Sequence, residues 1–280
     1  MSPPDAASVS ATGLSGEAAA RTWQRPRLIA NAWIRRAAWG GGALYLIVAV
    51  ATLGVDFERM AAGVPRAAEF VSGFFWPDFT TRGGDIIEGF IESVTMTLLS
   101  TVIGVALSIP LAIGAARNFA SGPVYLVCRS IIAVSRTFPE VMIAIFFVVM
   151  FGFGPFAGLI TLIVGTVGFL GKLLAEEIEG CSTEQIEAIR ATGASLPKIL
   201  VFGLFPQVFP RLVGLGLYRL DINFRESAII GVVGAGGIGA TLSTTLNRYE
   251  FSSAAAVLVL IIVIVLLTEN VSGFIRQRLI

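Results

Sequence analysis

Charged residues set in apolar sequence are the first candidates for chemistry in this chain. Arg136 and Glu140 flank Pro139 in one apolar stretch, and Arg219, Asp221, Arg225 and Glu226 stand close together in another. Arginine presents a planar fork that can give an oxyanion two parallel hydrogen bonds. Arg136 or Arg225, with Glu140 and Glu226 beside them, can therefore line the path of an anion. The alternative is internal neutralisation. Arg136 with Glu140, and Arg225 with Asp221, are spaced as neighbours one turn apart on a helix. Arg129 and Arg136 share one helical face by the same periodicity.

Other chemistry is excluded by residue type. The chain has no histidine, so the commonest general base and metal ligand is missing. Cys128 and Cys181 lie in different kinds of segment and form no metal-binding pair. Gly234, Gly236 and Gly239 spell G-x-G-x-x-G, but a dinucleotide site needs a strand before the glycines and an acidic residue well after them. Apolar spans flank them instead, so these glycines, like Pro139, are expected to break, bend or closely pack helices. A phosphate-binding P-loop is also missing, because Gly171-Lys172 is followed by Leu173. Catalytic residues and metal ligands are thus expected to be none, and a formal charge of +1 gives no sign of nucleic acid.

The elements that must position these residues follow from composition. Of 280 residues, 55% are hydrophobic and 14% charged, against about 25% charged in soluble domains. Lipid is the solvent such a chain requires. A spanning helix takes about 20 apolar residues. Six segments qualify: 37–55, 93–116, 124–151 interrupted at Pro139, 155–174, about 207–242, and 252–274. The second carries Thr97, Ser100, Gly104 and Ser108 at helical spacing, which suits close helix packing. The fold class expected is all-α with about six transmembrane helices.

Residues 1–30 are rich in Ala, Ser, Pro and Arg and hold no apolar run, which predicts a disordered tail followed by a retained anchor, without a signal peptide. With the tail in the cytoplasm, 13 of the 20 Lys and Arg residues fall inside and 4 outside. That bias predicts both termini on the cytoplasmic side. The outer stretch 56–88 carries Phe70, Phe74, Phe75 and Trp76. It reads either as a short helix in the membrane interface or as a loop packed on the outer face.

One loop stands apart. The stretch from Glu176 to Pro206 falls on the cytoplasmic side by the charge count. Ser182 or Thr183 can cap a short helix with Glu184 in its first turn. Ile186, Ile189 and Ala188 then share a face, and Gly193 ends the helix. Leu196-Pro197 starts a second helix. The result is a protruding helix, glycine turn and helix, built to take force from a partner.

This knob resembles the cytoplasmic motif of permease subunits in ATP-binding-cassette importers. That motif reads Glu-Ala-Ala, then glycine, then Ile-x-Leu-Pro. Here Glu187, Ala188, Gly193 and Pro206 match, while Ile189 stands at the second alanine, Gly203 at the isoleucine and Phe205 at the leucine. Ser135 to Glu140, Phe153 to Gly158, Arg225 to Ala228 and Gly231 to Gly239 are similar to the permeases of phosphonate-type importers, whose relatives also take phosphate or phosphite. The resemblance runs from about Glu92 to the end.

It implies a type I importer permease fold in a bacterial inner membrane, with Glu187, Ala188, Ile189, Gly193 and Pro206 at an ATPase contact. It also implies a separate ATPase in two copies that binds ATP and magnesium, a second copy of this chain, and an extracytoplasmic binding protein. The permease would bind no cofactor and catalyse no reaction itself. Three parts are expected: residues 1–30 as tail, 31–92 as first span and interfacial segment, and 93–280 as permease core. The alternatives are a permease for another small solute, an ion-gradient transporter, or a membrane scaffold or channel subunit.

Overall fold

The computed structural model describes residues 31–54 and 56–279, so the expected N-terminal tail lies outside the described residues. Those residues are mostly helical and form no strands. They divide into two compact units, one ending at Gly63 and one beginning at Val64.

The first unit contains α1 (Ala32–Thr52), capped where the Asn31 side chain accepts from the Trp33 amide at 3.0 Å. Its 21 residues include none that is buried. At a rise of about 1.5 Å per residue it is long enough to cross a bilayer. A second helix, α2 (Phe57–Ser72), follows.

The second unit is built around a pair of long helices, α3 (Gly83–Gly114) and α6 (Pro155–Glu179). Thr97, Ser100, Gly104 and Ser108 form the buried stripe of α3, as their spacing predicts. Gly104 abuts the Thr166 side chain of α6, leaving no room for a methyl group. Between these helices run α4 (Gly122–Thr137) and α5 (Glu140–Phe151), which bend by 93° at Phe138-Pro139. The bend has a direct cause. A residue before proline is driven out of the helical region, and Phe138 has ψ 136°.

After α6 come α7 (Thr183–Ala191), the short α8 (Leu196–Ile199), a π turn (Leu200–Leu204) and α9 (Phe205–Gly231). The predicted fifth span, 207–242, is corrected. The helix stops at Gly231, residues 232–236 turn back, and α10 (Gly237–Asn247) packs against α9. Gly234, with φ +94°, and Gly236, with φ +76°, make that turn, because a Cβ is disfavoured in the left-handed region. The last helix is α11 (Phe251–Leu279). Among the described residues, five helices are long and apolar enough to cross a membrane, or six with the bent pair counted as one span.

The aromatic segment is divided. Phe70 and Phe74 stack around Phe251, with centroids 4.9 and 6.0 Å from its ring, whereas Phe75 and Trp76 are exposed. Next to them Asp78 accepts from the Thr81 and Thr80 hydroxyls and amides. Arg82 binds Glu250 (Nη2 to Oε1, 3.0 Å) and Asp85 (2.7 Å), tying the start of α3 to the α10–α11 turn.

The Thr81 and Thr80 hydrogen bonds hold the Asp78 carboxyl well below the usual range, and the bond from Arg82 lowers that of Glu250. Folded values below the unfolded value of about 4 stabilise the native state above that pH and lose the effect as pH falls through the folded value. The thermal unfolding midpoint of the detergent-solubilised protein is therefore expected to drop on acidification below about pH 4. Glu250→Gln should remove part of that pH dependence.

Candidate functional site

The site in the core begins with glycines on α6. Gly165, Gly168 and Gly171 lie on one face toward α4 and α5. A Cβ at Gly168 would meet the Arg136 stem at 3.1 Å, and one at Gly171 would meet Ile132 at 3.3 Å. The bent pair can therefore approach α6 closely. At Gly165 the space is filled by charge: a Cβ there would lie 2.5 Å from Glu140 Oε1 and 2.7 Å from Arg219 Nη2.

Arg219, on α9, is 3% exposed. Its Nη2 donates to Glu140 Oε1 at 2.8 Å and to Glu226 Oε2 at 3.0 Å. Its Nε donates to Thr166 Oγ1 at 3.2 Å, and its guanidinium lies 5.5 Å from the Phe169 ring centre. Asn223 extends the network, donating from Nδ2 to Thr101 at 2.9 Å and Thr166 at 3.0 Å. Helices α3, α5, α6 and α9 thus meet at one polar centre. Each neutral interhelical hydrogen bond in a membrane is worth roughly 0.6 kcal/mol. Stranding a buried charge costs about 3–5 kcal/mol. Removing one member of the ion cluster is therefore the most costly single change at this centre.

A cavity of about 350 Å³ adjoins it, lined by Arg136, Glu140, Arg219 and Glu226 together with Pro139 and Phe169. The structure brings Arg136, Glu140 and Glu226 together there, but not Arg225, which lies outside the lining. The expected Arg136–Glu140 pair is corrected. The 93° bend removes the one-turn spacing, and Glu140 turns to Arg219. Arg136 makes no ion pair among the described residues and is exposed. Arg129 turns elsewhere, to Glu179 at 3.0 Å and the Ala115 carbonyl at 3.0 Å. The Arg225–Asp221 pair does form, and Asp221 also accepts from Thr268 at 3.2 Å.

The glycine motif at 234–239 has a packing role. A Cβ on Gly236 would lie 2.6 Å from the Pro155 nitrogen, and Gly239 abuts the Ala228 carbonyl. The first amides of α10 point at α3: Gly237 donates to Glu92 at 2.8 Å and Ile238 to Ser93 at 2.9 Å. An anion bound at such a helix start is familiar chemistry. Here the anion is the chain's own carboxylate.

The knob forms as its sequence predicts, helix, glycine turn, helix. Gly193 has φ +76° and nothing near its missing Cβ, so its backbone alone requires glycine. Ser182 occupies the cap position of α7, but its hydroxyl makes no capping bond. Its amide donates to Gln207 Oε1 at 3.0 Å instead. Ile186 is buried and Ile189 half-buried, while Glu187, Ala188 and Gly193 are exposed. Ala188 therefore lies off the inward face. Pro206 is exposed in the first turn of α9.

Residues 108–280 match the family described as the binding-protein-dependent transport system inner membrane component. This chain belongs to that family. The phosphate-import permease protein PhnE of Mycolicibacterium smegmatis is 41% identical over 205 residues, covering 73% of this chain and 38% of the relative's length. The phosphite transport system permease protein PtxC of Stutzerimonas stutzeri is 35% identical over 224 residues, covering 80% of this chain and 81% of that one. Among solved structures, an inward-facing MetNI methionine transporter aligns with TM-score 0.62 and 25% identity, covering 70% of this chain and 96% of that one. The chain is a multi-pass inner-membrane permease with the type I importer fold.

Arg219 stood among the charges read from the sequence but without a role, and Thr166, Asn223 and Gln207 escaped that reading of this permease. A signal for Arg219 existed: it lies two helical turns before Glu226, on the same face of α9. Nothing in the sequence pointed to Glu140 as its second partner. Arg219→Met is expected to strand both carboxylates and cost about 3–5 kcal/mol, seen as a lower unfolding midpoint in detergent. Adding Glu140→Gln and Glu226→Gln should recover most of the loss. A wild-type midpoint for Arg219→Met alone would count against the cluster as the dominant tie.

Proposed function

We propose that this permease is the membrane subunit of an ATP-driven importer for a small phosphorus oxyanion: phosphonate, phosphate or phosphite. The observation that carries the reading is the exposed α7 knob, whose Glu187, Ala188 and Gly193 surface leads through α8 into the membrane helix α9. A separate ATPase, in two copies and holding ATP and magnesium, docks on that knob. Two copies of the permease form the gated pathway, and an extracytoplasmic binding protein delivers the ligand. Both termini are cytoplasmic, in line with 13 Lys and Arg residues on that side against 4 on the other. The phosphate and phosphite named for the relatives support the ligand class.

Two arginines at the cavity suit an oxyanion, but Arg219 is committed to Glu140 and Glu226. Arg136 is the guanidinium left to meet a passing anion. Arg136→Ala is expected to lower uptake of radiolabelled phosphite or phosphate with protein levels unchanged, whereas Arg225→Ala should act mainly through the lost Asp221 pair. Full uptake by Arg136→Ala would remove it from the route.

Gly193→Asp tests the knob. A side chain in the left-handed region costs roughly 1–2 kcal/mol and re-aims the turn. The expected outcome is ATP hydrolysis no longer coupled to uptake, with the permease still in the membrane. Unimpaired coupling in that variant would remove the docking role.

A further inference from the structure

The knob is fastened to α9 at two points that involve the same glycine. Gly203 is buried in the π turn, and a Cβ there would come 3.2 Å from Ile189 Cδ1 and 3.8 Å from Ile186 Cα. Ile189 therefore sits in a notch that exists because residue 203 has no side chain. The second point is Gln207, in the first turn of α9. Its Nε2 donates to the Gly203 carbonyl at 2.7 Å, and its Oε1 accepts the Ser182 amide at 3.0 Å. The orientation of the amide is set by its partners, since a carbonyl needs the NH2 end and an N–H needs the oxygen. One side chain thus clamps the start of α7 to the π turn that carries the notch.

The two unusual positions explain one another. Where the resembling motif has a small residue and then a large one, this chain has Ile189 and Gly203, and the two touch. Volume has been exchanged across one contact. Beyond the joint, α9 is assigned as one helix from Phe205 to Gly231, with Pro210 inside its second turn. Arg219 lies about 21 Å along it at 1.5 Å per residue. No loop lies between the knob's seat and the ion cluster.

We infer that Ile189, Gly203 and Gln207 form a rigid joint that makes α7 move as one body with α9, and that Gln207 is a positioning residue for energy coupling. This rests on the reading of α7 as the ATPase contact. Without the joint, α7 would still present its outer face to the ATPase, but its motion would be absorbed in the turn at residues 200–204. Dispersion contacts at the notch fall off within an ångström, so the seat tolerates little slack.

The test uses the full transporter, permease with its ATPase and binding protein, in liposomes. The probe is whichever of phosphite, phosphate and methylphosphonate the wild type carries. Gln207→Met keeps side-chain length and removes both hydrogen bonds, while Gln207→Glu keeps only the acceptor for Ser182. Gln207→Met is expected to retain the ATPase and its hydrolysis while substrate carried per ATP falls at least about fivefold. Gln207→Glu should fall in between. Amide exchange should rise in α7 and not in α6 or α11.

Gly203→Ile should lower the same ratio, and Ile189→Ala combined with it should restore it to within about twofold, since contacting sites couple. An unchanged ratio in Gln207→Met, or no rescue in the double variant, would overturn the joint. A wild-type permease that fails to co-purify with a P-loop ATPase would instead overturn the reading of the knob beneath it.

Discussion

A guanidinium buried among apolar helices must be compensated on the spot, and the compensation of Arg219 organises the second unit. Water cannot screen it, so two carboxylates from different segments come to it, Glu140 from the start of α5 and Glu226 from α9. That demand pins the bent pair to α9, keeps residue 165 a glycine and places Thr166 where it also meets Asn223. One charge thus fixes the mutual position of α5, α6 and α9, and the neutral hydrogen bonds of Asn223 extend the tie to α3.

The second constraint is the backbone's own polar groups, which lipid cannot satisfy. Each break in a helix therefore has a local answer. At Pro139 the chain turns and α5 starts anew with Glu140. At residues 232–236 glycines take up left-handed backbone, and the free amides of α10 are met by Glu92 and Ser93 of α3. At the wide turn before α9, the Gly203 carbonyl receives Gln207. The irregular places are where distant segments are tied together.

These ties connect the proposed ends of the transport machinery. α9 carries the knob's seat at one end and Arg219 and Glu226 farther along. On the proposed reading, a stiff element must run from the knob to the transport path, and the single helix α9 spans that distance. The seat of Ile189 against Gly203 is the packing contact at the knob end of that helix.

Much of the fold was legible in the sequence because lipid imposes a length and an apolar composition on every span. The helical knob was legible because Gly193 and Pro197 punctuate it, and the break at Pro139 because proline forbids the preceding residue a helical backbone. The Asp221–Arg225 pair was readable because both residues sit on one continuous helix. What the sequence left open are pairings between segments. Glu140 finds Arg219 rather than its near neighbour Arg136, the glycines at 234–239 end a span rather than fill one, and Gln207 reaches back to Ser182. Periodicity within a helix says which face a residue occupies. Only the packing of that face against another helix decides which charge, carbonyl or methyl group waits opposite.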